Sequence, residues 1–434
     1  MTKVLKFGGT SVGSAENMRL VASIVTGEKS RVTVLSAMSE TTNGLVKICQ
    51  EASNGKFDTQ SHDYLYNKYV TCVNDLLDQH KAEAIEKVDS VFEYIKNQAT
   101  NYNSCSENNI LAQGELLTSA IFTHYMNEIG CEAKLINIPE CMQTNSDGLA
   151  DTGKLKATIN QIIDHSNDSI YYITQGFICR NHIGELDNLG RGGSDYSAAL
   201  IGAAIGASEV QIWTDIDGMH NNDPRYVENT FPIAVMNFTQ AAELAYFGAK
   251  ILHPATIQPC QKQGIAVRLK NTMDAKAEGT LITNDTELNP HNYTAIAAKD
   301  GITSIRICSA RMLMAYGFLR QVFEVFEKHK TPIDMITTSE VAVSLTIDND
   351  AHLCEIIKEL EPFGNVSFEK DNCIICVVGS IEPQRPGVIA RILDSIDDIP
   401  VKMISYGASN SSVAMMIDSK HKITALRQLN NNLF

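Results

Sequence analysis

Residues 4–12, Val-Leu-Lys-Phe-Gly-Gly-Thr-Ser-Val, restrict what this chain can fold into more than any other stretch. Val4, Leu5 and Phe7 supply the apolar run of a buried strand, with Lys6 at its C-terminal end. The paired glycines Gly8 and Gly9 let a backbone turn sharply and approach a ligand closely. Thr10 or Ser11 is placed to cap a helix with Met18, Val21 and Ile24 on its apolar face. Free amides at such a helix start, beside the Lys6 ammonium, form a pocket for an anion, and a phosphate fits it. The string is not a Walker A loop, because the lysine precedes the glycines and no G-x-x-x-x-G-K-[ST] occurs. A lone Gly-Gly turn with a lysine on its rim is an ordinary strand-to-helix connection. The functional reading therefore needs support from elsewhere in the chain.

The rest of the first two thirds repeats the strand-helix alternation. Arg31–Ser39 is a β-branched run ending in small hydroxyl residues, and Thr42-Asn43-Gly44 opens a helix. From 62 to 100, Val73, Leu76 and Leu77, then Val88, Val91, Phe92 and Ile95, fall at helical spacing and predict a helix pair without chemistry of its own. Gly114-Glu115 starts a further helix. Strands at 134–138, 168–178 and 209–214 flank a glycine-rich loop at 184–195 and an alanine-rich helix at 196–206. This rhythm predicts a doubly wound, mainly parallel α/β sheet over residues 1–285, with ligands outside the carboxyl ends of the strands. Past 285 the order becomes β-α-β-β-α-β, twice, with the second unit one strand short. The strand 293–298 fills that gap, which predicts two interleaved ferredoxin-like units: 299–371, and 372–434 together with 293–298.

The net charge of −15 argues against non-specific nucleic-acid binding, so a polyanionic ligand must be held by local lysines and metal. No apolar run approaches the ~20 residues of a membrane span, and Met-Thr-Lys-Val-Leu-Lys lacks a signal peptide's apolar region. With eleven scattered cysteines, the expectation is a cytoplasmic protein with reduced thiols. Cys373 and Cys376 lie in an apolar strand, face opposite sides of it and read as core.

Four further strings carry candidate chemistry. Leu189-Gly-Arg-Gly-Gly-Ser-Asp195 offers an Arg191 fork for a carboxylate, exposed amides and an acidic helix start. Trp213-Thr-Asp-Ile-Asp-Gly218, running on to Asp223-Pro-Arg225, is a strand followed by an acidic turn without EF-hand spacing. Phe247-Gly-Ala-Lys250-Ile-Leu-His253-Pro supplies a second lysine, and Gln113-Gly-Glu115 a carboxylate. Taken singly, each also reads as a capped loop, a surface lysine or a packed histidine.

In combination, KFGGTSV, GRGGSDYSAAL, WTDIDG with DPR, and FGAKILHPAT resemble the aspartate kinase family, a branch of the amino acid kinase fold. The resemblance runs over essentially the whole chain, and it implies that the two small units are ACT domains. It implies that Lys6, Gly8, Gly9, Asp195 and Lys250 serve the transfer of a phosphoryl group. Lys6, Gly9, Ser11, Thr214, Asp215, Arg225 and Lys250 would lie along ATP, with His220 where the family usually has tyrosine. Thr42, Glu115, Phe177, Arg191, Ser194 and Asp195 would shape the aspartate pocket. No protein side chain would be a metal ligand, since magnesium would arrive with ATP.

Phe318-Leu319 and Asp334-Met-Ile-Thr-Thr338-Ser339-Glu340-Val341 resemble the family's lysine-inhibited branch. Its effector would meet Met312, Gly317, Phe318, Leu319, Asp334, Thr338, Ser339, Glu340 and Val341, with Ala315 replacing a usual serine. Asp334 and Glu340 suit the two ammonium groups of lysine. The resemblance further implies a homodimer through the first ACT domain, either alone or paired again into a tetramer. Two rivals stand beside this reading: a kinase of the same fold acting on glutamate or acetylglutamate, and an amino-acid sensor with an inactive kinase half. A fused homoserine dehydrogenase is not expected, because no dinucleotide-binding domain follows the second small unit.

Overall fold

The structure is a computed structural model that describes residues 2–190, 192–248, 252, 254–284, 292–309, 316–382 and 384–434. Its described residues fall into two compact units. The first comprises 1–219, 234–238 and 252–286; the second comprises 220–233, 239–251 and 287–434.

The first unit is built on an eight-stranded sheet. Its strands are β1 (Lys3–Phe7), β2 (Val32–Leu35), β3 (Ala133–Ile136), β4 (Tyr171–Gln175), β7 (Glu209–Thr214), β8 (Val235–Asn237), β9 (Ala266–Asn271) and β10 (Thr280–Thr283). A separate hairpin pairs β5 (Ile178–Arg180) with β6 (Leu186–Asn188). The spatial order is β3-β4-β2-β1-β7-β9-β10-β8. The first six are mutually parallel, and β10 runs antiparallel to β9. Val4, Leu5 and Phe7 are fully buried, as a central strand covered on both faces requires. From β1 the chain goes to β2 on one side, while β7 lies on the other. The sheet therefore has a topological switch point between β1 and β7, where such sheets bind ligands.

The helix pair expected over 62–100 is present as Gln60–Leu76 and Lys81–Thr100. Leu65, Tyr69, Val73, Val88, Phe92 and Ile95 sink into one core with Met18, Val21 and Ile121. The helix expected to start at Gly114 instead runs Ser106–Glu128, so Gly114 and Glu115 lie well inside it. Gly114 is tolerated there because close packing demands it: a Cβ would meet the Ala37 Cβ at 2.9 Å and Thr41 Cγ2 at 3.0 Å.

The second unit holds a six-stranded antiparallel sheet in the order β12-β13-β11-β14-β16-β15. The strands are β11 (Tyr293–Cys308), β12 (Ile336–Thr338), β13 (Ala342–Ile347), β14 (Asn365–Gly379), β15 (Val401–Ser405) and β16 (Ser412–Asp418). The sequence reading broke β11 near 300 and β14 near 370; each is one strand. Register shifts near Lys299–Ile302 absorb the break, with Gly301 at φ 74° and Asp371 at φ 61° opposite it. The first half of β11 (293–299) pairs with 374–379, and its second half pairs with 365–369. Two cores follow. One gathers Ile305, Val322, Phe326, Leu345 and Ile356; the other gathers Ile375, Val377, Ile392, Met415 and Leu429. Cys373 and Cys376 are both fully buried, Cys373 in the second of these cores, and burial pushes the Cys373 thiol up to about 12, which makes it inert. Among the described residues no helix is long and apolar enough to cross a membrane.

Candidate active site

Lys6 stands next to last in β1, so its side chain leaves the sheet at the carboxyl end. Its Nζ lies 2.7 Å from Asp195 Oδ1, and both side chains are 13% exposed. The contact is a salt bridge. Asp195 occupies the first turn of the helix Gly193–Ile205, where a carboxylate is favoured. In the glycine turn beneath Lys6, position 9 admits no larger residue: a Cβ on Gly9 would stand 2.7 Å from the Ala37 carbonyl oxygen. The Gly8 amide donates to the Trp213 carbonyl oxygen at 3.3 Å, which ties the turn to the end of β7.

The expected cap of the first helix is displaced. The helix begins at Ala15, and Ser14, in extended conformation, accepts from the Asn17 amide at 3.2 Å. The Ser11 hydroxyl is engaged elsewhere, buried against Thr272 Oγ1 at 2.7 Å. The glycine turn and Lys6 therefore stand apart from the helix start, which does not lie directly behind Gly9.

Glu115 is the most constrained titratable group at the site. Its Oε2 accepts from the amides of Gly176 (2.9 Å) and Phe177 (2.7 Å), and its Oε1 accepts from Ser194 Oγ at 2.9 Å. Ser36 Oγ donates in turn to Ser194 Oγ at 3.1 Å. Burial pushes the Glu115 pKa up from 4.5 to about 7, while these hydrogen bonds and Lys6 pull it down. Lys6, Thr42, Glu115, Phe177, Ser194 and Asp195 all line one cleft of about 250 Å³, together with Ser36 and Gly193. Five of the six residues assigned to the amino-acid pocket thus meet there. The sixth, Arg191, lies outside the described residues. Sequence reasoning gave Ser36 no role, although it follows the C-terminal end of β2, where ligands gather.

The nucleotide set divides differently. Thr214 ends β7 next to the glycine turn, and its hydroxyl donates to Asp215 Oδ1 at 3.0 Å. His220 and Arg225 belong to the second unit. There His220 Nδ1 is 3.1 Å from Thr230 Oγ1, and Arg225 clasps the Asp223 carboxylate at 2.6–3.1 Å while 75% exposed. Lys250 and His253 lie outside the described residues.

Of the effector set, Gly317 precedes the helix Phe318–Lys328 at φ 81°, a left-handed conformation suited to glycine. Phe318 is buried, whereas Leu319, Thr338, Ser339, Glu340 and Val341 are exposed. Met312 and Ala315 lie outside the described residues. Asp334 is not the bare acceptor the sequence reading pictured. Its Oδ1 already receives Lys299 Nζ at 2.6 Å and Tyr246 Oη at 2.7 Å, while its Oδ2 is buried and has no partner. Lys299 also reaches Asp348 at 2.9 Å. Although burial opposes it, the two carboxylates hold the Lys299 pKa above the ordinary lysine value.

A central parallel sheet with a lysine-glycine turn at its switch point, facing an aspartate at a helix start, defines an amino acid kinase domain. A model of the amino acid kinase family matches residues 1–271, and an ACT domain model matches residues 375–433. Lysine-sensitive aspartokinase 3 of Escherichia coli (strain K12) is 32% identical over 450 residues, covering 99% of each chain. The crystal structure of E. coli aspartokinase III in complex with aspartate and ADP (R-state) superposes with a TM-score of 0.86 at 32% identity, covering all of both chains. The complex with lysine and aspartate (T-state) gives 0.84 at 33% identity, covering 100% of this chain and 99% of that one. The chain belongs to the aspartokinase family, whose members are kinases acting on a carboxyl group of aspartate.

Proposed function

We propose that this chain transfers the γ-phosphoryl group of ATP to the side-chain carboxylate of L-aspartate, giving 4-phospho-L-aspartate, and that lysine inhibits it. The observation that carries the reading is the Lys6–Asp195 pair in a cleft shared with Glu115 and Ser194. The reaction needs no general base, because a side-chain carboxylate of pKa ~3.9 is already ionised at neutral pH. One carboxylate oxygen attacks the γ-phosphorus as the bond to the β-phosphate oxygen breaks, and ADP leaves. Catalysis is then positioning and compensation of charge between two anions. Lys6 meets the migrating phosphoryl group over Gly8 and Gly9, with Lys250 as a second cation, and Asp195 orients Lys6. Thr214, Asp215, His220 and Arg225 serve the nucleotide. Glu115 receives the substrate ammonium and Arg191 its α-carboxylate.

Magnesium enters with the nucleotide as part of the substrate. It prefers oxygen ligands and keeps several waters. Among the described residues, Asp195 is held by Lys6, and Glu115 by two amides and a hydroxyl. This fits a metal carried on ATP phosphates.

Two features support lysine as effector and dimerisation through the first small module. Asp334 presents a buried, unpartnered Oδ2 to an ammonium group. Among the described residues the edge strand β12 is paired on one side only, and Ile336 within it and Val341 just beyond it are exposed. The reaction would open the route to lysine, threonine and methionine. A hydroxamate assay comparing aspartate with glutamate, with and without lysine, tests the reading. Turnover with aspartate alone, suppressed by lysine, is the expected result. A preference for glutamate, or no effect of saturating lysine on either rate or melting temperature, would overturn the corresponding half.

A further inference from the structure

The joint of the helix pair that the sequence reading left without chemistry brings three metal-binding side chains together. His80 caps the helix Lys81–Thr100, Glu83 lies in its first turn, and His124 projects from the helix Ser106–Glu128. Glu83 Oε2 lies 3.4 Å from His80 Nδ1 and 3.8 Å from His124 Nδ1. One donor atom from each residue lies within 4.8 Å of the others, and among the described residues no other such group of three occurs. Zinc bonds of about 2.0–2.1 Å set tetrahedral donors roughly 3.3 Å apart, so small torsions close this triangle around an ion.

The corner is also anchored. Glu128, one turn beyond His124, accepts from the backbone amides of Asp78, Gln79 and His80 at 2.8, 3.1 and 3.2 Å. Three hydrogen bonds thus hold the backbone of residues 78–80 against the helix that bears His124, which keeps the two imidazole-bearing segments side by side.

We propose that His80, Glu83 and His124 bind a divalent d-block cation, with zinc as the type ion, in a site separate from the kinase cleft. Two imidazole nitrogens and one carboxylate oxygen suit zinc, nickel or copper, whereas magnesium and calcium prefer oxygen alone. Water completes the coordination shell. The ion bridges the start of one helix to the last turns of its neighbour, so its role is to stiffen this corner.

The test uses the full-length protein stripped with a chelator, titrated with zinc by calorimetry and with cobalt as an optical probe. One saturable site per chain is expected, with visible cobalt bands and no thiolate-to-cobalt charge transfer from the eleven cysteines. Zinc raises the melting temperature of the wild type but not of the H80A/H124A double variant. H80A, H124A and E83Q each weaken binding by about tenfold or more, the scale on which even outer partners of a metal ligand matter. Glu83 is 69% exposed, so E83Q keeps the fold even where a histidine variant does not. Absence of saturable binding, unchanged affinity in E83Q, or a cobalt-thiolate spectrum would overturn the proposal.

Discussion

The phenolic hydroxyl of Tyr246 donates to Asp334 Oδ1 over 2.7 Å, joining residues 88 positions apart. Lys299 lies over the Tyr246 ring, 4.3 Å from its centroid, and bonds the same carboxylate oxygen. Burial, then Asp334, pushes the Tyr246 pKa up, so the phenol stays a donor. Both bonds fall on Oδ1, which leaves Oδ2 oriented and bare.

Tyr246→Phe removes one of the two tethers and lets the carboxylate turn. A hydrogen bond to a charged group contributes about 1.5–3 kcal/mol. If a third of that is lost from lysine recognition, the half-inhibitory lysine concentration rises roughly twofold to fivefold. Turnover without lysine should stay within about twofold of wild type. A lysine titration of the initial rate reads both quantities, and an unshifted inhibition curve would remove Tyr246 from effector binding.

Lys6→Ala and Asp195→Ala should each lower turnover by at least ~10², the scale of losing one preorganised charge contact to a transition state. Each leaves a single partly buried charge, so some stability is lost as well. Circular dichroism and melting temperature separate the two effects. Near-normal turnover in either folded variant would refute the assignment.

The sequence disclosed the site where residues close in the chain carry the chemistry, and concealed it where they do not. Lys6-Phe-Gly-Gly is local, and strand periodicity places it at the end of β1. The Lys299–Asp334–Tyr246 cluster leaves no local trace, because three elements distant in sequence supply one side chain each. Strand ends at Gly301 and Asp371 were misread for another reason. Positive φ there marks a bulge that bends a continuing strand, and turn-forming residues look the same in both settings. Gly114 misled similarly: it reads as a helix breaker until Ala37 and Thr41 are seen packed against it.

Glu115 makes aspartate use pH-dependent. Its pKa is held up at about 7, mainly by burial, so the carboxylate proposed to receive the substrate ammonium forms only as pH rises through 7. The value of kcat/KM for aspartate should fall as pH drops below 7, approaching tenfold per unit. Stability runs the other way. A folded pKa above the ordinary 4.5 favours the folded state fully below that value, and the gain disappears as pH rises through about 7. Glu115→Gln should flatten the kinetic profile below pH 8 and raise KM for aspartate. A wild-type profile without an inflection between pH 6 and 8 would contradict this.

Gly176 provides the most selective probe of the amino-acid pocket. Its amide donates to Glu115, and a Cβ placed on it would stand 2.5 Å from Ser194 Cβ and 2.7 Å from Ser194 Cα. Backbone cannot yield at that distance as a side-chain tip does, so Gly176→Ala must push the Ser194–Asp195 segment away from Glu115. Overpacking of this kind costs about 1–3 kcal/mol, which the melting temperature registers. The kinetic signature is a split: KM for aspartate rises about tenfold or more, while KM for ATP stays within about twofold. Only the aspartate value moves, because the proposed acceptor contacts run through Ser194 and Glu115, whereas the glycine turn over Lys6 is untouched. Equal changes in the two KM values would mean that this cleft does not discriminate acceptor from nucleotide.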